Sequence, residues 1–174
     1  SMIHRPPFSL RTGAAIAAVF ALCASAQAAV VDVTVTVQNL APGSSISFAP
    51  LHVGFNNGSF DAFNLGGVAT APIISVAEGG AGGAWQSAFA AADPTATRGT
   101  IGGLLQPGAS SSLTFSVDTA LNPFFTFGAM VVPSNDFFIG NDSATEYRLF
   151  DAAGNLNIAS IGVKASGIWD AGSE

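Results

Sequence analysis

Residues 31–37 read VDVTVTV, an alternation without a fault. Val33, Val35 and Val37 point to one side, and Asp32, Thr34 and Thr36 to the other. Side chains alternate with a period of two only in an extended strand, so this segment is a β-strand with one buried face. Its partners must supply an apolar surface to cover those valines. That requirement places the start of the folded chain in a layered β architecture.

The rest of the chain repeats the signal at short intervals. Ala41-Pro42-Gly43 is a turn, and Ile46, Phe48 and Leu51 continue as a second strand. Gly54 to Gly58 reads as a loop. Leu113, Phe115 and Val117 alternate again. Phe124 to Val132, FFTFGAMVV, is almost continuously apolar and reads as a central strand covered on both faces. Tyr147 to Phe150 and Leu156 to Ile158 flank Asp151-Ala152-Ala153-Gly154-Asn155, a hairpin loop by its turn residues. One region breaks the pattern. From Ala69 to Ala92, Ile73, Ile74 and Ala77 share a helical face, as do Trp85, Ala88 and Phe89. Gly79, Gly80, Gly82 and Gly83 divide it into two short helices, and Asp93-Pro94 ends it. The expected fold is all-β: an antiparallel β-sandwich with a short helical insertion. There is no internal repeat.

Residues before Ala29 are of another kind. Ser1 precedes Met2 as a cloning remnant. Arg5 and Arg11 form a positive start, Gly13 to Cys23 is apolar, and Ala26 and Ala28 supply an A-x-A cleavage site. This is the pattern of a secretory signal peptide over residues 1–28, with residues 29–174 as a single domain. The apolar run is shorter than the roughly 20 residues needed to span a bilayer. A lipid anchor on Cys23 is disfavoured by bulky Leu22. Removing the leader takes away two arginines and leaves Arg98, Arg148 and Lys164 against eleven acids, so the net charge moves from −6 to −8. It also takes the sole cysteine. A surface this acidic is a poor partner for nucleic acid or anionic lipid, and a natural host for a cation. The expectation is export to the periplasm, cell surface or medium, without membrane insertion.

The usual catalytic constellations are missing. The domain has no cysteine nucleophile, G-x-S-x-G elbow, HExxH or phosphate-cradling loop. His52, between Leu51 and Val53, suits a structural role better than that of a base. The acids carry more information, because only 9% of the chain is charged. Asp136 follows the long apolar strand and is trailed by Phe137, Phe138 and Ile139, which pin its loop. Asp170 follows Ile168 and Trp169, and Gly172 lets the chain bend so that Glu174 returns toward the same point. Carboxylates gathered this way repel one another unless a cation lies between them. Hard oxygen donors suit calcium, which takes six to eight ligands at about 2.3–2.6 Å. Ordinary turn acids would leave the same trace in the sequence. The spacing matches no EF-hand.

Residues 130–140, MVVPSNDFFIG, and 168–174, IWDAGSE, resemble the two signature segments of the spondin domain. Weaker matches are His52 followed by Gly58-Ser59-Phe60-Asp61-Ala62-Phe63, then Ala77-Glu78-Gly79-Gly80, and the Phe150 to Asn155 turn. The resemblance runs in order along the whole domain, and is similar to the prokaryotic branch of the family. It implies a β-sandwich related to calcium-dependent membrane-binding modules, found in animals in extracellular-matrix and adhesion proteins. It also implies a calcium ion held by Asp136, Asp170 and Glu174. Two features depart from the animal pattern: Glu174 stands where Asp is usual, and no cysteines flank the loops.

The leading expectation is therefore a secreted, non-catalytic calcium-binding module of adhesion or matrix type. Its partner would be an extracellular protein, a glycan or further copies of itself. One alternative is a secreted hydrolase using Asp136 and Asp170 as an acid/base pair, which needs two carboxyls with separated pKa values in a cleft. Another is a structural surface protein that assembles by strand addition at an open sheet edge.

Overall fold

The computed structural model describes residues 29–173. The leader and Glu174 lie outside them. Nine strands and two short helices follow one another in the order β1 (Val30–Gln38), β2 (Ser47–Phe48), β3 (Leu51–Asn56), α1 (Ala71–Gly79), α2 (Gly83–Ala92), β4 (Thr97–Ile101), β5 (Ser110–Asp118), β6 (Phe124–Val132), β7 (Phe137–Gly140), β8 (Tyr147–Arg148) and β9 (Trp169–Asp170). All strand pairings are antiparallel. The fold is the all-β, sandwich-like architecture expected from the alternation, with the helices as a local insertion.

Two sheets of unequal size make the layers. β1 and β5 form a two-stranded sheet; a seven-stranded sheet runs β4-β3-β6-β7-β9, with β2 and β8 also paired to β6. In β1 the valines at 31, 33, 35 and 37 turn toward the large sheet. The outward residues pair across the strands, Thr34 with Thr114 at 2.8 Å and Thr36 with Ser112 at 2.7 Å. Odd positions of β3 and β6, including Val53, Phe55, Phe125 and Phe127, meet them in the first core.

The opposite face of the large sheet carries the helices. There Ile73, Val76, Trp85 and Phe89 pack with Phe60 and Phe138 in a second core. This layer explains β6, whose residues are buried on both faces over most of its length. It also corrects one expectation. Residues 54–56 are not loop but the end of β3, which is buried throughout. Gly54 belongs in that strand because a Cβ there would run into the Phe89 ring. The expected second strand is likewise two elements, β2 and β3, and β4 is a further strand that the polar run TRGTI did not announce.

The helix insertion ends as its sequence suggests. Gly80 caps α1 in the left-handed conformation at φ 64°, its N–H donating to the carbonyls of the last turn. Asp93 closes α2 with its own N–H on Phe89 O. Its carboxylate, fully buried, accepts from Asn57 N–H at 2.8 Å, Thr95 N–H at 2.9 Å and Thr95 Oγ1 at 2.6 Å. This one side chain ties β3, α2 and the approach to β4 together. Among the described residues, no helix is long and apolar enough to cross a membrane.

Candidate functional site

The two acidic segments singled out in the sequence meet at one end of the large sheet. β6 runs out at Val132, and the chain turns through Pro133 to Asp136. Ser134 fastens the turn: its Oγ donates to Val131 O at 2.5 Å and accepts from Phe137 N–H at 3.2 Å. The chain then enters β7 as a strand rather than a pinned loop, because Phe138 and Ile139 are buried against the sheet while Phe137 stays 42% exposed. β9 pairs with β7 in the register Phe137–Asp170 and Phe138–Trp169. Asp136 and Asp170 therefore leave neighbouring strands at the same edge.

Backbone bonds knit the two segments beyond the ladder. Ala171 N–H donates to Asp136 O at 3.0 Å. Gly172 N–H donates to Asp170 Oδ1 at 2.8 Å, and Gly172 turns at φ 60°, a conformation that glycine adopts without a side-chain clash. Ser173 N–H then reaches Asp136 Oδ2 at 3.3 Å. Trp169 holds the strand down: its Nε1–H donates to Gly140 O at 2.9 Å, and its ring stands edge-on to Phe63 at 5.1 Å. The third expected carboxylate, Glu174, follows directly but lies outside the described residues.

A hard cation needs several oxygens around one point. Asp136 and Asp170 lie one ladder step apart, and each has one oxygen engaged by a backbone N–H. Ser173 Oγ is buried and has no hydrogen-bond partner among the described residues. A buried hydroxyl without a partner is costly and uncommon, and an oxygen-rich cation shell would use it. The side chains here offer oxygen donors alone, the type that calcium takes. Among the described residues no group of three His, Cys, Asp or Glu side chains lies close enough to hold a metal. Completing the shell rests on Glu174, backbone carbonyls and water.

His52 sits elsewhere, on the helix face of β3. It is buried, with Nδ1 3.0 Å from Thr100 Oγ1 and Nε2 3.0 Å from Gly80 O. A carbonyl only accepts, so Nε2 carries the proton. Gly82 leaves room for the ring: a Cβ there would overlap it. Both ring nitrogens are taken, and the residue is structural. Asp61 of the weaker match is exposed and accepts from Asn64 Nδ2 at 2.9 Å. Asp151 organises its hairpin loop, its Oδ1 accepting from the N–H groups of Ala153 and Asn155 at 2.9 Å each. The flanking ladder is reduced to one bridge between Phe150 and Leu156.

Sequence reasoning missed Asp93 as more than a helix stop. The available signal was an aspartate at a helix end with a threonine two positions on, the spacing of an Asx turn.

No family model, curated protein or solved structure matches the chain.

Proposed function

We propose that this chain is a secreted, non-catalytic binding module of spondin type, with a structural calcium ion clipping β7 to β9. Asp136, Asp170 and Glu174 would supply the carboxylates. The observation that carries the reading is the adjacency of Asp136 and Asp170 at the end of paired strands, followed in the chain by the buried Ser173 hydroxyl, which has no hydrogen-bond partner among the described residues. The acidic balance and the leader pattern agree with an exported, cation-binding protein. Adhesion or matrix binding follows from the resemblance of the two signature segments, with an extracellular protein or glycan as partner.

The hydrolase reading finds less support. A catalytic pair needs one carboxyl protonated and one ionised, whereas a shared cation keeps both ionised. Calorimetric titration of the chain with calcium chloride separates the two. Saturable binding that is lost in Asp136→Asn and in Asp170→Asn supports the module. Absence of calcium binding in the unsubstituted chain rejects it.

A further inference from the structure

The two sheets do not close on each other completely. A cavity of about 610 Å³ remains between them, roofed by Val33, Val35 and Val37 and floored by Phe125, Phe127 and Ala129. Its size falls within the roughly 300–1,000 Å³ of small-molecule sites. Several of the polar groups that border it are already occupied, Thr34 and Thr36 by Thr114 and Ser112. Asn39, for instance, donates to Ile46 O and Leu105 O and accepts from Ala41 N–H. The interior therefore offers a guest dispersion contacts and few hydrogen bonds.

The mouth has a different character. Leu40, Leu156 and Val163 border the cavity and are 82%, 59% and 42% exposed. Lys164 stands beside them as the one charged residue of the lining, with no carboxylate in the wall. The other two cations of the described domain are in use. Arg98 donates to Gln86 O and Oε1, and Arg148 donates to Phe150 O and lies over the Phe124 ring at 5.4 Å. The Lys164 ammonium has no hydrogen-bond or ion-pair partner among the described residues.

We propose that this cavity binds a single-chain anionic amphiphile, a long-chain carboxylate. Its hydrocarbon tail lies between the sheets, and its head group meets Lys164. The tail supplies the contacts that both walls lack, and the head group pairs with an ammonium that has no other partner. The ammonium can reach a head group at the water boundary while its stem lies on the apolar rim. An extended peptide is the competing guest, because β1 has β5 alone as a strand partner and its other edge is open among the described residues. A strand would use that edge but would leave Lys164 unexplained. Neither Asp136 nor Asp170 lines the cavity, and the proposal does not rest on calcium.

The test is equilibrium titration of the 174-residue chain with fluorescent cis-parinaric acid, followed by displacement with palmitate and with hexadecanol. Saturable binding displaced by palmitate is expected. Lys164→Glu, at an exposed position, should weaken palmitate about fivefold, the scale of an exposed ion pair, and leave hexadecanol unchanged. Val35→Trp, which fills the cavity, should abolish both, with circular dichroism showing the fold intact. Three results overturn the proposal. These are no saturable binding, palmitate affinity unchanged in Lys164→Glu, or displacement by an alternating Val/Thr peptide but not by palmitate.

Discussion

The two faces of the large sheet are closed to different degrees. On the helix face Val76, Trp85 and Phe89 are all 0% exposed. On the other face the inward valines of β1 pack on the core but are only half-buried, and a cavity opens beside Val33, Val35 and Val37. Both coverings are apolar, so hydrophobicity does not distinguish them. Shape does. A helix can lower a large ring into a recess that glycine leaves open, as Phe89 does over Gly54. A strand of alternating valine and threonine has only a short, branched side chain to project. Two strands also cannot span a sheet of seven. One face is thus a filled core and the other a partly open one, and their mutational responses should differ.

The largest effect is expected at the filled face. Phe89→Ala removes a ring from a site with no room to collapse and should cost about 3–5 kcal/mol, measured by urea denaturation. Asp93→Ala comes next. It leaves the N–H groups of Asn57 and Thr95 without their acceptor, a loss of about 1–3 kcal/mol where such groups stay buried. Val35→Ala, facing the cavity, should cost about 1 kcal/mol or less, since its methyl groups already lack neighbours on one side. Equal losses at Val35 and Phe89 would erase the contrast.

The smallest effect is a matter of pH. Tyr147 is the one tyrosine in the chain. Burial, then the hydrogen bond and negative charge of Glu146, push its pKa up to about 12. The folded chain therefore holds this proton above pH 10, where the unfolded chain begins to release it. Its contribution to stability is complete below about pH 10 and fades as pH rises toward about 12. Phenolate absorbance against pH reads this directly. A midpoint near 10 in the folded chain would be the contrary result.

Much of the fold is legible in the residues because period-two alternation admits one conformation. β1 and β5 are marked that way, β6 by its continuous apolar run, and the glycine cluster marks the break between the helices. β3 is less legible, because a strand buried on both faces loses its alternation and Gly54 and Asn56 imitate a loop. The reason for Gly54 is the Phe89 ring, more than thirty positions away in the chain. β4 is obscured by Thr97, Arg98 and Thr100, polar residues on a strand with one face outward. At the candidate site, the residue types are visible in the sequence but their meeting is not. Asp136 and Asp170 are joined by the β7–β9 register, a long-range pairing that no local spacing encodes. The cavity leaves no trace in the sequence, since the valines of β1 would read the same beneath a closed sheet.

The calcium clip can be tested through the stability of the whole domain. A cation that binds only the folded chain adds about 2.7 kcal/mol when it stands a hundredfold above its dissociation constant. For a domain of this size that corresponds to a rise in Tm of roughly 5–10 °C. The deciding measurement is thermal melting of the chain in calcium chloride and in excess chelator, beside Asp170→Asn in both. The account predicts a higher midpoint with calcium for the unsubstituted chain and no difference for the variant. A midpoint of the unsubstituted chain that is the same in calcium and in chelator would contradict it.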